Sequence, residues 1–265
     1  MSSSAQLNSH FSLTQVSTVD AGGEGCKNGA LAAWFVQSGN LSSQEAGGAS
    51  IRSPVARSRV DGLPDVEVPL AEREAIYAML AEVMRIFESA NLLYVVGGGL
   101  AAEAYHLREC ANDVDLFVRT VDAPRAGEVL SRAGFRTWVE DARWLYKASR
   151  DGVTVDVIHE SKGLVRVGDE TMRRARLMSI HGVLVRVMPP EDLFVMKALA
   201  ATSRAPKHWL DAVHLLTTQP MDWAYLVSRV GQNPRKVLRA IVQGHEEGAR
   251  VPAEALIELV RRLED

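Results

Sequence analysis

Two aspartates separated by one residue are the strongest chemical feature of the sequence. Asp113 and Asp115 lie in the otherwise apolar run 113–118. Because side chains alternate along a β-strand, both carboxylates would project from one face at a spacing of about 7 Å. Two carboxylates among apolar neighbours are costly without a counter-charge, and hard oxygen ligands suit Mg²⁺, which substrate phosphates and water usually complete. The pair therefore predicts a magnesium site that takes a phosphate-bearing substrate.

A run of three glycines precedes these aspartates. Gly97, Gly98 and Gly99 follow the β-favouring segment 91–96 and precede the alanine-rich, helix-favouring segment 100–108. Glycines at a strand-to-helix turn let backbone N–H groups approach phosphate oxygens, and the helix N-terminus adds a favourable partial charge. An ordinary turn and a dinucleotide-binding turn are alternatives, but the spacing is not GxGxxG. Together with the aspartates, the glycines predict a triphosphate site.

A third acidic residue, Asp156, lies in the middle of the predicted strand 153–158. A charge in that position is costly unless the strand presents it to solvent or to a cation. Taken singly, Asp113 could cap a strand start and Asp115 could be an edge-strand charge. Two ions held by three such carboxylates would polarise an α-phosphate, activate a hydroxyl and neutralise leaving pyrophosphate. We therefore expect the three side chains to converge.

This arrangement resembles the nucleotidyltransferase superfamily related to DNA polymerase β. The superfamily's pattern is a Gly-Gly pair that opens a helix, a downstream Asp-x-Asp strand and a third Asp on a later strand. The likeness spans about residues 94–211, and within the superfamily it is greatest to toxins of the abortive-infection type. It implies that Gly98 and Gly99 hold the phosphates, although Gly97 and Gly98 are an alternative pair. The residues that the resemblance assigns to catalysis and to two magnesium ions are Asp113, Asp115 and Asp156.

A weaker part of the likeness covers segments 191–197 and 204–211. In similar proteins this region places a lysine near the triphosphate, which implies a substrate-binding role for Lys197. From helix pattern alone, a surface salt bridge is the alternative for this lysine. Two positions depart from the pattern: Leu100 follows the glycines where relatives often carry a small or hydroxylated residue, and His208 stands where an aspartate is common.

The resemblance implies an enzyme that transfers a nucleoside monophosphate from a nucleoside triphosphate to an acceptor hydroxyl. Toxin-type relatives imply RNA, above all tRNA, or a protein as acceptor, together with a cognate antitoxin. Compact enzymes of this kind also modify small molecules such as aminoglycosides, and a non-catalytic nucleotide-binding module is a further alternative. The formal net charge of −3 weakens the RNA alternative, because phosphate contacts dominate affinity for RNA.

The elements that must position these residues follow from the hydrophobic pattern. Helical spacing over 70–87 precedes alternating strands and helices, and Asp151-Gly152 predicts a β-hairpin between segments 144–149 and 153–158. A further strand over 183–187 is the last one predicted. With the resemblance, this order predicts an α+β fold: a nucleotidyltransferase-type mixed sheet with flanking helices, followed by a C-terminal helical region. The helices predicted in that region cover 191–201, 209–216, 223–230, 234–242 and 252–263.

Composition divides the chain into three expected parts. Residues 1–62 are Ser- and Gly-rich and are expected to be a disordered extension, residues 63–188 to form the catalytic domain, and residues 189–265 to form a helical domain. The two cysteines, Cys26 and Cys110, lack the spacing of a zinc or disulfide framework. The N-terminus does not resemble a secretory signal, and apolar runs fall short of the roughly 20 residues that cross a bilayer. We therefore expect a cytoplasmic protein without a membrane partner.

Overall fold

A mixed β-sheet organises the part of the chain that the structure, a computed structural model, describes. The described residues are 69–107, 112–161, 165–231 and 233–263. They belong to the compact unit Gly62–Asp265. The extension predicted to be disordered, residues 1–62, lies outside the described residues, as do both cysteines.

Nine strands occur in the described residues. In chain order they are β1 (Val95–Val96), β2 (Val114–Phe117), β3 (Arg136–Asp141), β4 (Leu145–Arg150), β5 (Val153–Ile158), β6 (Glu160–Ser161), β7 (Val165–Arg166), β8 (Arg176–Ile180) and β9 (Val183–Val187). Seven form one sheet in the order β3-β4-β5-β2-β1-β9-β8, and β6 pairs with β7. The pairs β2–β5 and β1–β9 are parallel, and the remaining pairs are antiparallel. The mixed sheet confirms the predicted fold class.

Nine α-helices accompany the sheet in the described residues. They are α1 (Leu70–Ser89), α2 (Gly98–Ala104), α3 (Ala123–Arg132), α4 (Asp169–Arg174), α5 (Pro190–Ala200), α6 (Lys207–Thr218), α7 (Trp223–Arg229), α8 (Pro234–Glu246) and α9 (Ala253–Arg261). Helix α1 packs on α3 and on strands of the sheet, whereas α5 packs on α6, α7 and α8. None of the described helices combines the length and apolar character required to cross a bilayer.

The hairpin between β4 and β5 forms where the sequence predicts it. Asp151 and Gly152 both have positive φ, 51° and 80°, which is the conformation that favours Asp-Gly in two-residue hairpin turns. The turn pairs Arg150 with Val153, and counting back along both strands pairs Lys147 with Asp156. A two-residue turn thus determines which side chain of β4 faces Asp156.

Helix α3 covers only one face of this hairpin. A Cβ atom built on Gly127 of α3 would lie 3.6 Å from the ring of Tyr146 on β4. Because neighbouring side chains alternate along a strand, Lys147 projects from the opposite face. Its directly paired neighbour Asp156 projects from that opposite face too. The acidic residues therefore lie on the side of the sheet that faces away from α3.

The first predicted strand is shorter than expected. Segment 91–96 was predicted as β, but only Val95–Val96 pairs in the sheet. Asn91 has φ 51°, and the N–H of Leu92 donates to the carbonyl of Phe87 at 2.9 Å. These are the features of a helix C-terminus that ends with a left-handed residue. The segment's first residues thus terminate α1 and leave only two for the sheet.

Other differences concern elements that the hydrophobic pattern does not show. The predicted helix 100–108 begins two residues earlier and ends at Ala104. Helix α4 and strand β8 were not predicted, nor was β3, whose side chains are mainly exposed. An edge strand with polar residues on both faces carries no apolar alternation from which it could be recognised.

Candidate active site

Two parallel strands bring the three aspartates together. Asp115 on β2 and Asp156 on β5 are direct partners in the parallel register, and Asp113 immediately precedes β2. One ligand oxygen from each of the three carboxylates lies within 4.8 Å of the others. The expectation that these side chains converge is therefore met in the structure, while their catalytic and metal-binding roles remain proposals.

Burial and neighbouring charges raise the proton affinity of Asp113 and Asp115. Burial, followed by the charges of Asp113 and Asp156, raises the pKa of Asp115 to about 7. Burial and the charge of Asp156 also raise the pKa of Asp113. Three crowded acidic groups of this kind need a cation, and all-oxygen ligands match hard divalent ions such as Mg²⁺. The donor set therefore fits the predicted metal.

Lys147 supplies part of the compensating charge. Its Nζ lies 2.7 Å from Oδ1 and 2.8 Å from Oδ2 of Asp156. It also lowers the proton affinity of Asp113 through its charge. This lysine was not predicted as a site residue, although counting the register back from the Asp-Gly turn would have placed it opposite Asp156. Counting paired residues from a predicted hairpin turn can thus identify a site residue that residue types alone do not indicate.

The glycine run lies directly under Asp115. The N–H of Gly97 donates to the carbonyl of Asp115 at 3.0 Å, and the N–H of Gly99 donates to the Asp115 carboxylate. Gly98 has φ 55°, and a Cβ atom there would lie 1.6 Å from Oδ2 of Asp115. At Gly97 a Cβ atom would lie 2.2 Å from the ring of Phe117. The glycines therefore allow the backbone turn to approach Asp115 closely, a role that the sequence did not indicate.

Lys197 is not a surface residue. It is only 5% exposed, and its Nζ lies 2.7 Å from Oδ2 of Asp211, which is 2% exposed. The surface salt bridge considered from the sequence is therefore wrong, because α5 is buried over nearly its whole length. The charge of Lys197 favours the ionised forms of Asp113 and Asp115. This lysine thus belongs to the electrostatic environment of the acidic cluster.

Lys207 and Leu100 are two further residues that the sequence places near the proposed site. Lys207, the first residue of α6, is exposed and also favours the ionised form of Asp113. Its charge thus acts on the acidic cluster although the side chain lies at the surface. Leu100, where relatives often carry a small or hydroxylated residue, is fully buried in the core. It therefore contributes to packing and offers no hydroxyl to a phosphate.

A family model matches most of the described chain. Residues 77–256, more than half of the 265-residue sequence, match the family described as nucleotidyl transferase of unknown function, DUF2204. No curated protein matches the chain significantly. The matched region contains all three aspartates, the glycine run and Lys197.

The fold is similar to that of several solved structures at low sequence identity. ANT(2")-Ia in complex with adenylyl-2"-tobramycin is 16% identical, with a TM-score of 0.42, over 65% of this chain and 98% of that chain. An antigenic nucleotidyltransferase-like protein from Paracoccidioides brasiliensis is 14% identical, with a TM-score of 0.38, over 74% and 88%. A tRNA nucleotidyltransferase complexed with a primer tRNA and an ATP analogue is 14% identical, with a TM-score of 0.28, over 66% and 65%. Similarities this low do not identify an acceptor.

Proposed function

The chain belongs to the family of nucleotidyl transferases of unknown function, DUF2204, and from that premise we propose that Asp113, Asp115 and Asp156 carry its reaction. In the proposed reaction an acceptor hydroxyl oxygen bonds to the α-phosphorus of a nucleoside triphosphate. The bond from that phosphorus to the β-phosphate oxygen breaks, pyrophosphate leaves, and the hydroxyl proton passes to Asp156 or to solvent. The observation that carries the proposal is the convergence of three carboxylates within 4.8 Å.

The acidic cluster is the proposed site for two Mg²⁺ ions. Asp115 and Asp113 would bind the ions from one strand, and Asp156 would complete the site from its parallel neighbour. When bound, such ions stabilise the charge on the attacking and leaving oxygens. The pKa of Asp115 is raised by burial and by the charges of Asp113 and Asp156, which supports a bound cation beside this carboxylate.

The triphosphate is proposed to lie between the glycine turn and the lysines of α5 and α6. Gly98 and Gly99 open α2 beside Asp115, so the backbone of the turn lies next to the proposed metal site. Lys197 and Lys207 add positive charge on the same cluster. Positive groups around a leaving pyrophosphate stabilise the charge that develops in the transition state. These residues are the proposed phosphate contacts.

Transfer of label from a triphosphate tests the proposal directly. The purified full chain would be incubated with each α-labelled nucleoside triphosphate, Mg²⁺ and a panel of total tRNA, aminoglycosides and protein. We expect label on one acceptor class, no label after chelation with EDTA, and none with Asp115→Asn. Asp151→Asn is the matched control, because that carboxylate is 80% exposed in a turn. Binding of triphosphate without labelling of any acceptor would favour the non-catalytic alternative.

The toxin-type role and a cognate antitoxin are predictions of the resemblance alone. The labelling panel separates an RNA or protein acceptor from a small molecule of the aminoglycoside type. Expression of the wild-type chain and of Asp115→Asn in growing cells would show whether transfer inhibits growth. Equal growth with both proteins would remove the toxin-type role without affecting the proposed reaction.

A further inference from the structure

A row of directly paired residues crosses the sheet from the acidic cluster to its edge. Asp115 pairs with Asp156, and Asp156 pairs with Lys147. Lys147 in turn pairs with Trp138 on β3. Directly paired residues on neighbouring strands project from the same face of a sheet. Trp138 therefore shares the face of the carboxylates, and two strand spacings put its backbone about 10 Å from that of Asp156.

Trp138 presents an aromatic ring at this edge. The residue is 38% exposed, and its indole N–H donates to Oε2 of Glu140 at 2.9 Å. The hydrogen bond satisfies the polar group of the ring, and part of the side chain is open to solvent. Arg136, two positions away on the same face, places its guanidinium carbon 5.9 Å from the indole centroid. Among the described residues, no carboxylate forms an ion pair with Arg136. The edge thus combines an aromatic side chain with a cation, and the Glu140 carboxylate is engaged by the indole N–H.

The position of this pair relative to the triphosphate site indicates which substrate it meets. The glycine turn follows β1, on one side of Asp115, whereas β5, β4 and β3 extend from β2 on the other side. In phosphoryl transfer the attacking and leaving oxygens lie roughly in line across the phosphorus. If pyrophosphate leaves toward the glycine turn, the acceptor approaches over β5. The surface beyond Asp156 therefore faces the acceptor.

We propose that Trp138 and Arg136 form the acceptor subsite of the proposed transferase and that they bind a single-stranded nucleic-acid end. A base stacks on the indole while Arg136 meets a backbone phosphate, and the terminal hydroxyl reaches Asp156. Aromatic stacking beside basic groups is how proteins bind single strands with little sequence preference. A polycationic aminoglycoside would instead meet the positive charge of Arg136. The proposal rests on the proposed function and names its acceptor class.

Oligonucleotide binding by variants of β3 tests the subsite without requiring turnover. Anisotropy of end-labelled RNA and DNA oligonucleotides of one sequence would be measured with the full chain in Mg²⁺. We expect Trp138→Ala to weaken binding roughly 5- to 100-fold, and Trp138→Phe to retain most of it. Arg136→Gln should reduce the slope of log affinity against log salt concentration by about 1, the value expected for the loss of one phosphate contact. Val139→Ala is the matched control, since Val139 is 54% exposed on the opposite face of the same strand.

Triphosphate affinity separates this subsite from the nucleotide site. Trp138→Ala should bind ATP as the wild type does. Unchanged oligonucleotide binding by both Trp138→Ala and Arg136→Gln would overturn the subsite, as would an equal loss of ATP and oligonucleotide affinity. Label on an aminoglycoside or protein, with no oligonucleotide binding, would overturn the nucleic-acid class. If no acceptor is labelled but Trp138→Ala selectively loses oligonucleotide binding, the proposed transfer reaction is contradicted and the proposed nucleic-acid subsite is supported. Comparison of the RNA and DNA affinities identifies which of the two nucleic acids the subsite prefers.

Discussion

At the scale of single residues, the acidic cluster opposes the stability of the protein that carries it. Asp115 is placed against Asp156 by strand register and against Gly98 by the backbone turn. Its raised pKa means that the folded protein binds this proton more tightly than the unfolded chain does. The ionised carboxylate therefore reduces stability in the absence of metal.

Asp115→Asn should raise the melting temperature of the metal-free protein. At pH 8 most of the charge is present, and removing roughly 1–2 kcal/mol of desolvation and repulsion corresponds to a rise of about 2–8 °C. The pKa shift from 3.8 to about 7 means that the wild type loses this repulsion as pH falls through 7. The difference between the two proteins should therefore be smaller at pH 5 than at pH 8.

Thermal melts at both pH values, with and without Mg²⁺, check this expectation. The variant should also lose the stabilisation that Mg²⁺ confers on the wild type. Asp151→Asn should leave the metal response unchanged. A variant that melts below the wild type at pH 8 would contradict the repulsion argument.

Lys147, in contrast to Asp115, stabilises the metal-free protein. Lys147→Met leaves Asp156 without its ion-pair partner, and the loss of a partly buried pair should cost roughly 1–3 kcal/mol in the metal-free protein. Mg²⁺ should then stabilise the variant more than it stabilises the wild type, because it replaces the missing cation. Lys147→Arg, which keeps the charge, is the control. Melting curves over a Mg²⁺ titration provide the measurement. Identical curves for Lys147→Met and the wild type would show that Lys147 does not compensate the charge of Asp156.

The residue types alone identified the three aspartates but not their neighbours. Asp113, Asp115 and Asp156 are unusual in apolar strands and can be recognised from sequence. Lys147 and Trp138 are ordinary residues whose position follows only from strand pairing. Lys147 could have been placed opposite Asp156 by counting back from the predicted Asp151-Gly152 turn. Trp138 could not, because β3 was not predicted and long-range register is not encoded in local periodicity.

At the scale of secondary-structure elements, local turn chemistry was the most reliable guide. The Asp-Gly hairpin and the strand Val183–Val187 form where the sequence predicts them. Strand β3 could not be predicted, because its polar residues show neither period. The start of α2 was predicted two residues late, since Gly98 is a poor helix former that is required here by the approach of Asp115.

Gly98→Ala should therefore disrupt the site at the turn between β1 and α2. The left-handed φ costs alanine roughly 1–2 kcal/mol, and the new Cβ would overlap Oδ2 of Asp115. Displacement of this carboxylate should weaken Mg²⁺ binding by at least about tenfold. Metal titration by calorimetry measures the effect.

A second glycine substitution controls for the loss of backbone freedom. Gly127→Ala lies within α3, where the added Cβ meets Tyr146 at an ordinary 3.6 Å. Alanine is the better helix former by about 1 kcal/mol, so this variant should be as stable as the wild type or more so. Normal Mg²⁺ binding by Gly98→Ala would show that Asp115 can relax around the new methyl group.

At the scale of the whole molecule, a buried ion pair connects the helices after the sheet to the acidic cluster. Lys197 of α5 and Asp211 of α6 form this pair, and the charge of Lys197 reaches Asp113 and Asp115. One lysine thus serves both helix packing and the electrostatics of the site. The predicted division into domains at residue 188 remains a prediction.

A double substitution separates the two roles of Lys197. Lys197→Met alone removes the ion-pair partner Lys197 from the buried Asp211 and should cost roughly 3–5 kcal/mol, or about 6–20 °C. Adding Asp211→Leu removes that charge and should restore most of the stability. If Lys197 also contacts phosphate, the restored protein still binds ATP more weakly than the wild type. Melting curves and ATP titrations distinguish these effects. Full recovery of ATP affinity in the double variant would show that Lys197 serves helix packing and does not contact phosphate.

The parallel register of β2 and β5 also governs how the gene can change in length. Deleting one codon of β5 before Asp156 would rotate every following side chain to the other face, so Asp156 would point toward α3 and a hydrophobic neighbour would enter the acidic cluster. Losing two codons would restore the alternation but move a different residue opposite Asp115. Insertions and deletions in this strand should therefore be selected against more strongly than most point substitutions, whereas exposed loops of the same chain should tolerate them.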